Sequence, residues 1–192
     1  MSIKRGFDLS LLLLAAPLIL AVTAFLALAA FAAHGRPIFF LQERTGLRGR
    51  TFWIWKLRSM TTDRDVRARR PTRFGSFLRD RGLDEMPQLF NVLKGDMSLV
   101  GPRPLTPADC SRLSAIHPEF ARRLTVRPGL TGPAQVTLAR GAALTAWLDA
   151  RYAEEGTVWT DLQILLRTVW MHLVGKRRGA APTPPGVLSR HS

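Results

Sequence analysis

Residues 9 to 33 read LSLLLLAAPLILAVTAFLALAAFAA, 25 positions without a single Asp, Glu, Lys or Arg. At about 1.5 Å per residue, a helix of this length covers a hydrocarbon layer roughly 30 Å thick. A cleaved signal peptide has a shorter apolar core, and the segment after this run does not read as a secreted N-terminus. The run is therefore read as a membrane helix. Lys4 and Arg5 precede it, while Arg36, Arg44, Arg48, Arg50, Lys56 and Arg58 lie beyond it. Basic residues stay on the cytoplasmic side, so both ends are drawn there. Pro17 interrupts the run, removing a helix hydrogen bond and favouring a kink. Taken together, the residues weigh a straight span and a re-entrant hairpin about equally.

The remaining composition points the same way. The 192 residues carry a formal charge of +14, which calls for anionic partners such as lipid headgroups, nucleic acid or phosphorylated substrates. Yet 46% of the chain is hydrophobic, too much for a simple nucleic-acid-binding tail. Cys110 is the single cysteine, which excludes an internal disulfide. His34, His117, His172 and His191 are scattered without zinc-ligand spacing, and neither a P-loop nor a Gly-x-Gly-x-x-Gly turn is present.

Beyond Pro37, Ile38 to Arg44 and Thr51 to Leu57 read as two strands joined by turn residues 45 to 49, a small β-hairpin. The Arg-rich stretch from Asp63 to Thr72 reads as a solvated loop over the membrane surface. Met86, Leu89, Phe90 and Leu93 fall on one helical face, with Pro87 in the first turn and Gly95 as the stop. Two Pro-rich segments, 101 to 107 and 127 to 133, flank a further helix. Ala142 to Ala153 is helical. Val158 to Val174 is amphipathic, with Trp159 and Trp170 near its ends, the composition of a helix lying in the membrane interface. A buried core helix is the alternative. The Pro- and Ala-rich tail after Gly179 reads as disordered.

Asp84 and Glu85 open the short helix. Asp is a common N-cap, and acidic residues complement a helix N-terminus, so the pair has an ordinary structural explanation. Its basic company argues for chemistry instead. Lys56, Arg58, Arg79, Arg81, Arg103 and Arg127 all lie in or beside short motifs, and Arg103 is fixed between Pro102 and Pro104. A guanidinium held this way suits a phosphate. The helix end and the arginines would keep both carboxyl groups ionised, so one can attack phosphorus and the pair can hold Mg²⁺ against phosphate oxygens.

Ordered along the chain are Lys4-Arg5-x-x-Asp8, then Gln42-x-Arg44-x-Gly46-x-x-Gly49-x-x-Phe52-x-x-x-Lys56-x-Arg58-Ser59-Met60. Next come Leu83-Asp84-Glu85-x-Pro87-Gln88-Leu89-x-Asn91-Val92-x-Lys94-Gly95-Asp96-Met97-Ser98, and Val100-Gly101-Pro102-Arg103-Pro104. Last is Val126-Arg127-Pro128-Gly129-Leu130-Thr131-Gly132-x-Ala134-Gln135-Val136. In these motifs, over roughly residues 1 to 175, the chain resembles the bacterial sugar transferase family of monotopic phosphoglycosyl transferases. The resemblance implies that Asp84 attacks the β-phosphate of a UDP-sugar, releasing UMP, and that undecaprenyl phosphate then takes the sugar phosphate from the aspartate. It implies Mg²⁺ at Asp84 and Glu85, with metal binding or proton handling for Glu85. Arg79 and Arg103 match phosphate-binding arginines, and Lys56, Arg58, Arg127 and Arg140 complete the expected substrate-binding set.

The implied fold is α+β and mainly helical. A re-entrant membrane helix-hairpin spans 1–36, a cytoplasmic membrane-associated catalytic domain 37–178, and a disordered tail 179–192. The catalytic domain carries the small β-hairpin, the short active-site helix and interfacial amphipathic helices. The resemblance also implies the cytoplasmic face of the bacterial inner membrane, membrane lipid as a partner and no nucleic acid, and it leaves a homodimer open. Two departures bear on selectivity. Ala16 precedes Pro17 where Ser is common, and Thr137-Leu138-Ala139-Arg140-Gly141 replaces the usual Asn/Ser-Gly-Arg-Asn, with Arg140 displaced by one position. The competing readings are a membrane-tethered basic module that binds anionic lipid or nucleic acid, and a family member without activity.

Overall fold

A computed structural model describes residues 3–174. The expected disordered tail lies outside the described residues. The long apolar run forms helix α1, Ile3–His34, which continues through Pro17 as one α-helix. Its buried residues, Asp8, Leu12, Thr23, Leu26 and Ala30, recur at helical spacing and form a single stripe against the rest of the chain. The opposite side leaves Leu13, Leu14, Leu18, Phe25 and Leu28 between 62% and 82% exposed, an apolar surface with no protein cover among the described residues.

Strands β1 (Phe39–Thr45) and β2 (Thr51–Leu57) pair antiparallel from Phe39 opposite Leu57 to Thr45 opposite Thr51, as the alternation predicts. Alternation along β2 turns Phe52 and Ile54 inward against Leu12, Val92 and Met97. Leu57 instead packs with Leu26 of α1 and Leu78 of helix α2, Arg73–Asp80. Thr72 caps α2 by accepting the Gly75 amide at 2.9 Å. At Gly75 the helix lies directly on the chain, where a Cβ would stand 1.9 Å from the Ser59 carbonyl oxygen.

The segment carrying the acidic pair differs from expectation. Leu83–Gln88 is a 3-10 turn entered through left-handed Gly82, and the α-helix proper, α3, runs only over Leu89–Lys94, ending at left-handed Gly95. Of the apolar face read from Met86, Leu89, Phe90 and Leu93, the first two pack partly buried against the core, while Phe90 and Leu93 are about half exposed. Asn91 decides the orientation. Its side-chain amide donates to the Trp53 carbonyl at 2.8 Å and to Asp96 at 3.4 Å and accepts the Trp55 amide at 3.4 Å, while its backbone carbonyl accepts the amides of Gly95, Asp96 and Met97. A buried amide with partners on three sides outweighs two apolar side chains that have an apolar surface nearby to face.

A second pairing was not read from the sequence. Strands β3 (Ser98–Val100) and β4 (Gly129–Thr131) lie parallel, with Ser98 opposite Gly129 and Val100 opposite Thr131. Their backbones approach so closely that a Cβ on Gly129 would meet the Gly101 amide nitrogen at 2.1 Å. Helix α4 (Pro107–Ile116) and a 3-10 stretch, Pro118–Thr125, connect them. The chain then runs through α5 (Pro133–Val136), α6 (Ala142–Glu155) and α7 (Val158–Val174). Val100, Val136, Tyr152, Ile164 and Met171 close the core beneath them. Helix α7 has the predicted limits. It buries Asp161 and Ile164 and leaves Trp159, Leu166, Trp170 and Leu173 exposed.

The amino-terminal Lys-Arg-x-x-Asp motif docks α1. Lys4 pairs with buried Asp161 of α7 and donates to the Tyr152 hydroxyl at 3.0 Å. Arg5 donates to the Val92 and Leu93 carbonyls at 2.6 and 2.9 Å, at the end of α3. Asp8 accepts the Ser98 hydroxyl at 2.7 Å and sits beside the Leu99 amide. At the other end, Arg58 of the segment after β2 donates to the carbonyls of His34 and Gly35. Both ends of α1 are thus fastened to the same domain.

Candidate active site

The short 3-10 turn packs against β2, and together they border a cleft of about 1720 Å³ whose wall includes Lys56, Arg79, Asp84, Glu85, Arg103 and Arg140. Six of the eight residues expected at the site therefore line one cleft. Arg58 also borders the cleft, but its guanidinium serves the end of α1. Arg127 does not border it, and its Nε donates to the Gly95 carbonyl at 2.9 Å, bracing the end of α3.

The two carboxylates have unequal surroundings. Glu85 accepts Lys56 Nζ at 2.7 Å and both terminal nitrogens of Arg103, one of them at 3.3 Å. Burial pushes the Glu85 carboxyl up, but the charges and hydrogen bonds of Arg103 and Lys56 override it and hold it at about 2. Asp84 is buried next to Glu85, and no neighbouring side chain is hydrogen-bonded to it among the described residues. Burial, then the negative charge of Glu85, pushes Asp84 above the ordinary carboxylate range, with Lys56 and Arg79 only partly offsetting this. The expectation that helix end and arginines hold both groups down thus meets Glu85 but not Asp84. Glu85 intercepts the nearest cations, and a 3-10 turn of six residues offers little dipole.

Two arginines that sequence reasoning passed over belong to this wall. Arg44 of β1 donates to the Pro104 carbonyl at 3.1 Å and to Gln42. Arg123, nearly fully buried, donates to the Arg103 carbonyl, lies 3.3 Å from Asp149 of α6 and stacks over Phe120. Burial pushes Asp149 up to about 6, and the Arg123 charge offsets only part of that. Gln42 and Arg44 stood in the motifs, whereas Asp149 had as its one signal a carboxylate on the inner face of a helix. Among the described residues no group of three or more His, Cys, Asp or Glu comes together; Asp84 and Glu85 are two adjacent carboxylates that line the cleft.

The family model for bacterial sugar transferases matches residues 1–175. This chain belongs to the bacterial sugar transferase family. It is 47% identical over 148 residues to a UDP-glucose:undecaprenyl-phosphate glucose-1-phosphate transferase of Caulobacter vibrioides, covering 69% of this chain and 55% of that protein. Over 189 residues it is 35% identical to a UDP-N-acetylgalactosamine-undecaprenyl-phosphate N-acetylgalactosaminephosphotransferase of Aeromonas hydrophila, covering 90% of this chain and 44% of that protein. The uncharacterized sugar transferase EpsL of Bacillus subtilis is 39% identical over 191 residues, with 92% and 90% covered. The chain therefore spans about half the length of the relatives named for a sugar and nearly all of EpsL.

Proposed function

We propose that this chain transfers a sugar 1-phosphate from a UDP-sugar to undecaprenyl phosphate through a phosphosugar–aspartate at Asp84. The observation that carries the assignment is the division between the two carboxylates: Glu85 is tied by two cations, whereas Asp84 is free of side-chain partners at the cleft wall. In the first step an Asp84 carboxylate oxygen attacks the β-phosphorus. The bond from that phosphorus to the bridging oxygen breaks, and UMP leaves with the oxygen and its electron pair. In the second, a phosphate oxygen of the lipid attacks the same phosphorus and the Asp84 carboxylate is released unchanged. Desolvation leaves the Asp84 oxygens a stronger base and nucleophile, while Arg79, Arg103 and Lys56 offer positive charge to the diphosphate. Asp84 and Glu85 fit Mg²⁺, which takes one or two carboxylates together with substrate phosphates; bound there, it would neutralise charge between nucleophile and diphosphate.

Membrane placement is argued from the clasps on α1. Lys4, Arg5 and Asp8 at one end and His34 at the other hold to one domain, so both ends lie on one side of the bilayer and the exposed apolar face enters it. We infer a re-entrant membrane segment followed by a catalytic domain at residues 37–178 on the cytoplasmic face of the inner membrane, a reading supported by the two fastened ends of α1 and by the need for UDP-sugars. The sugar stays open, because relatives this similar are named for different sugars.

The test is UMP release by the purified chain with undecaprenyl phosphate, Mg²⁺ and a panel of UDP-sugars, beside Asp84→Asn. Release from at least one sugar, lost in Asp84→Asn, is expected. Silence with every sugar would remove the enzyme reading, and turnover by Asp84→Asn would remove the nucleophile. Single cysteines placed before Lys4 and after Arg36 are expected to label from the cytoplasmic side alone.

A further inference from the structure

The loop carrying Arg103 is built to be held by its carbonyls. Pro102 and Pro104 have no N–H, so the loop has little to offer a ladder except oxygen atoms. Four successive carbonyls are taken. The Pro102 oxygen accepts the Gly129 amide at 2.9 Å, and the Leu105 oxygen accepts the Thr45 amide at 2.8 Å. Between them, the Arg103 oxygen accepts Arg123 and the Pro104 oxygen accepts Arg44 at 3.1 Å. Backbone fixes the flanks, and two guanidinium groups fix the centre.

Arg123 is the costlier of the two. It is 5% exposed, and its charge partner Asp149 is fully buried. Taking both ions from water carries a desolvation cost that their attraction need not recover, and packed apolar residues often serve stability as well. The pair is also incompletely satisfied: Arg123 Nη1 and both Asp149 oxygens lack a hydrogen-bond partner among the described residues. What an apolar pair could not supply is the donor to the Arg103 carbonyl, one residue's width from the guanidinium that grips Glu85.

Building on the site assigned above, we propose that Arg123, held by Asp149, is a positioning residue that sets Arg103 against Glu85 and the substrate diphosphate. Arg123 acts through Arg103 and needs no contact with substrate. Removing it frees the centre of the loop, and a displacement of about 1 Å at a reacting centre can cost a hundredfold in rate.

A double-mutant cycle separates this from a general structural role. Arg123→Lys keeps the charge opposite Asp149 but loses the planar guanidinium that lies over Phe120 and so aims Nη2 at both the Arg103 carbonyl and Asp149. In the native background it is expected to lower kcat/KM for UMP release about tenfold to a hundredfold, and in an Arg103→Ala background by less than about twofold. Asp149→Asn should show the same pattern with a smaller loss. Equal losses in both backgrounds would overturn the proposal. The same cycle read as melting temperature requires no substrate. There, Arg123→Lys and Arg103→Ala should be non-additive, and strict additivity would likewise overturn it. Absence of UMP release by the native chain would instead count against the site assignment, with the melting cycle still deciding the role of Arg123.

Discussion

Replacing Glu85 by Gln is the closest covalent imitation of holding its carboxyl protonated at neutral pH. Folding lowers that carboxyl from an ordinary 4.5 to about 2, so its ionised form is favoured in the folded chain by about 3 kcal/mol. The side chain is only 20% exposed, so screening takes little of this. A group depressed on folding stabilises fully above its unfolded value, and the gain fades as pH falls toward the folded value. Glu85→Gln should therefore destabilise by about 3 kcal/mol at pH 7, shrinking to roughly half near pH 3. For a chain of this size that is a fall of roughly 6 to 12 °C in melting temperature at pH 7. Melting of the native and Glu85→Gln chains in one detergent, from pH 7 down to pH 3, gives both numbers. A fall below about 2 °C at pH 7, or one that does not narrow on acidification, would refute the claim that Lys56 and Arg103 outweigh the burial of Glu85.

The same structure sets other outcomes. Because Asp84 must be ionised to attack and its carboxyl is raised by burial and Glu85, the acid limb of kcat/KM for UMP release should lie above the ordinary Asp range. It should move further up in Lys56→Met, which removes a charge that lowers it; an unmoved limb would deny Asp84 that role. Gly75→Ala should lower stability by about 1–3 kcal/mol or more, and the melting temperature with it, because the added carbon has only the Ser59 backbone to push. Lys4→Met leaves Asp161 buried beside Tyr152 without its cation. Since Lys4 is about a third exposed, the expected loss is about 2 kcal/mol rather than the full cost of an orphaned buried charge, again read by melting.

Elements set by local pattern were legible in the sequence: the apolar run of α1, the alternation of β1 and β2, and the limits of α7. The acidic pair and its cations were legible because charged residues in Pro- and Gly-punctuated motifs have few structural uses. Features decided by non-local contact were not. That Phe90 and Leu93 stay exposed was not legible, because Asn91 finds its partners on β2, which helical periodicity does not reveal. The parallel β3 and β4 pair is three residues per strand, too short to show alternation, and rests on glycines that read equally well as turn residues. Arg58 and Arg127, expected among the substrate-binding residues, donate to backbone carbonyls in the fold, a role that residue type does not reveal. Arg123 was passed over for the opposite reason, since its partners lie 20 and 26 positions away.

The pairing of Lys4 with Asp161 joins positions 157 residues apart. A ribosome therefore makes α1 long before it makes the helix that answers Lys4. The other fastenings come earlier in synthesis: Arg58 reaches the far end of α1, and the partners of Arg5 and Asp8 are Val92, Leu93 and Ser98. The Lys4–Asp161 pair is thus the last of these contacts that synthesis makes possible, and a chain that stops short of α7 would hold α1 by the earlier ones alone.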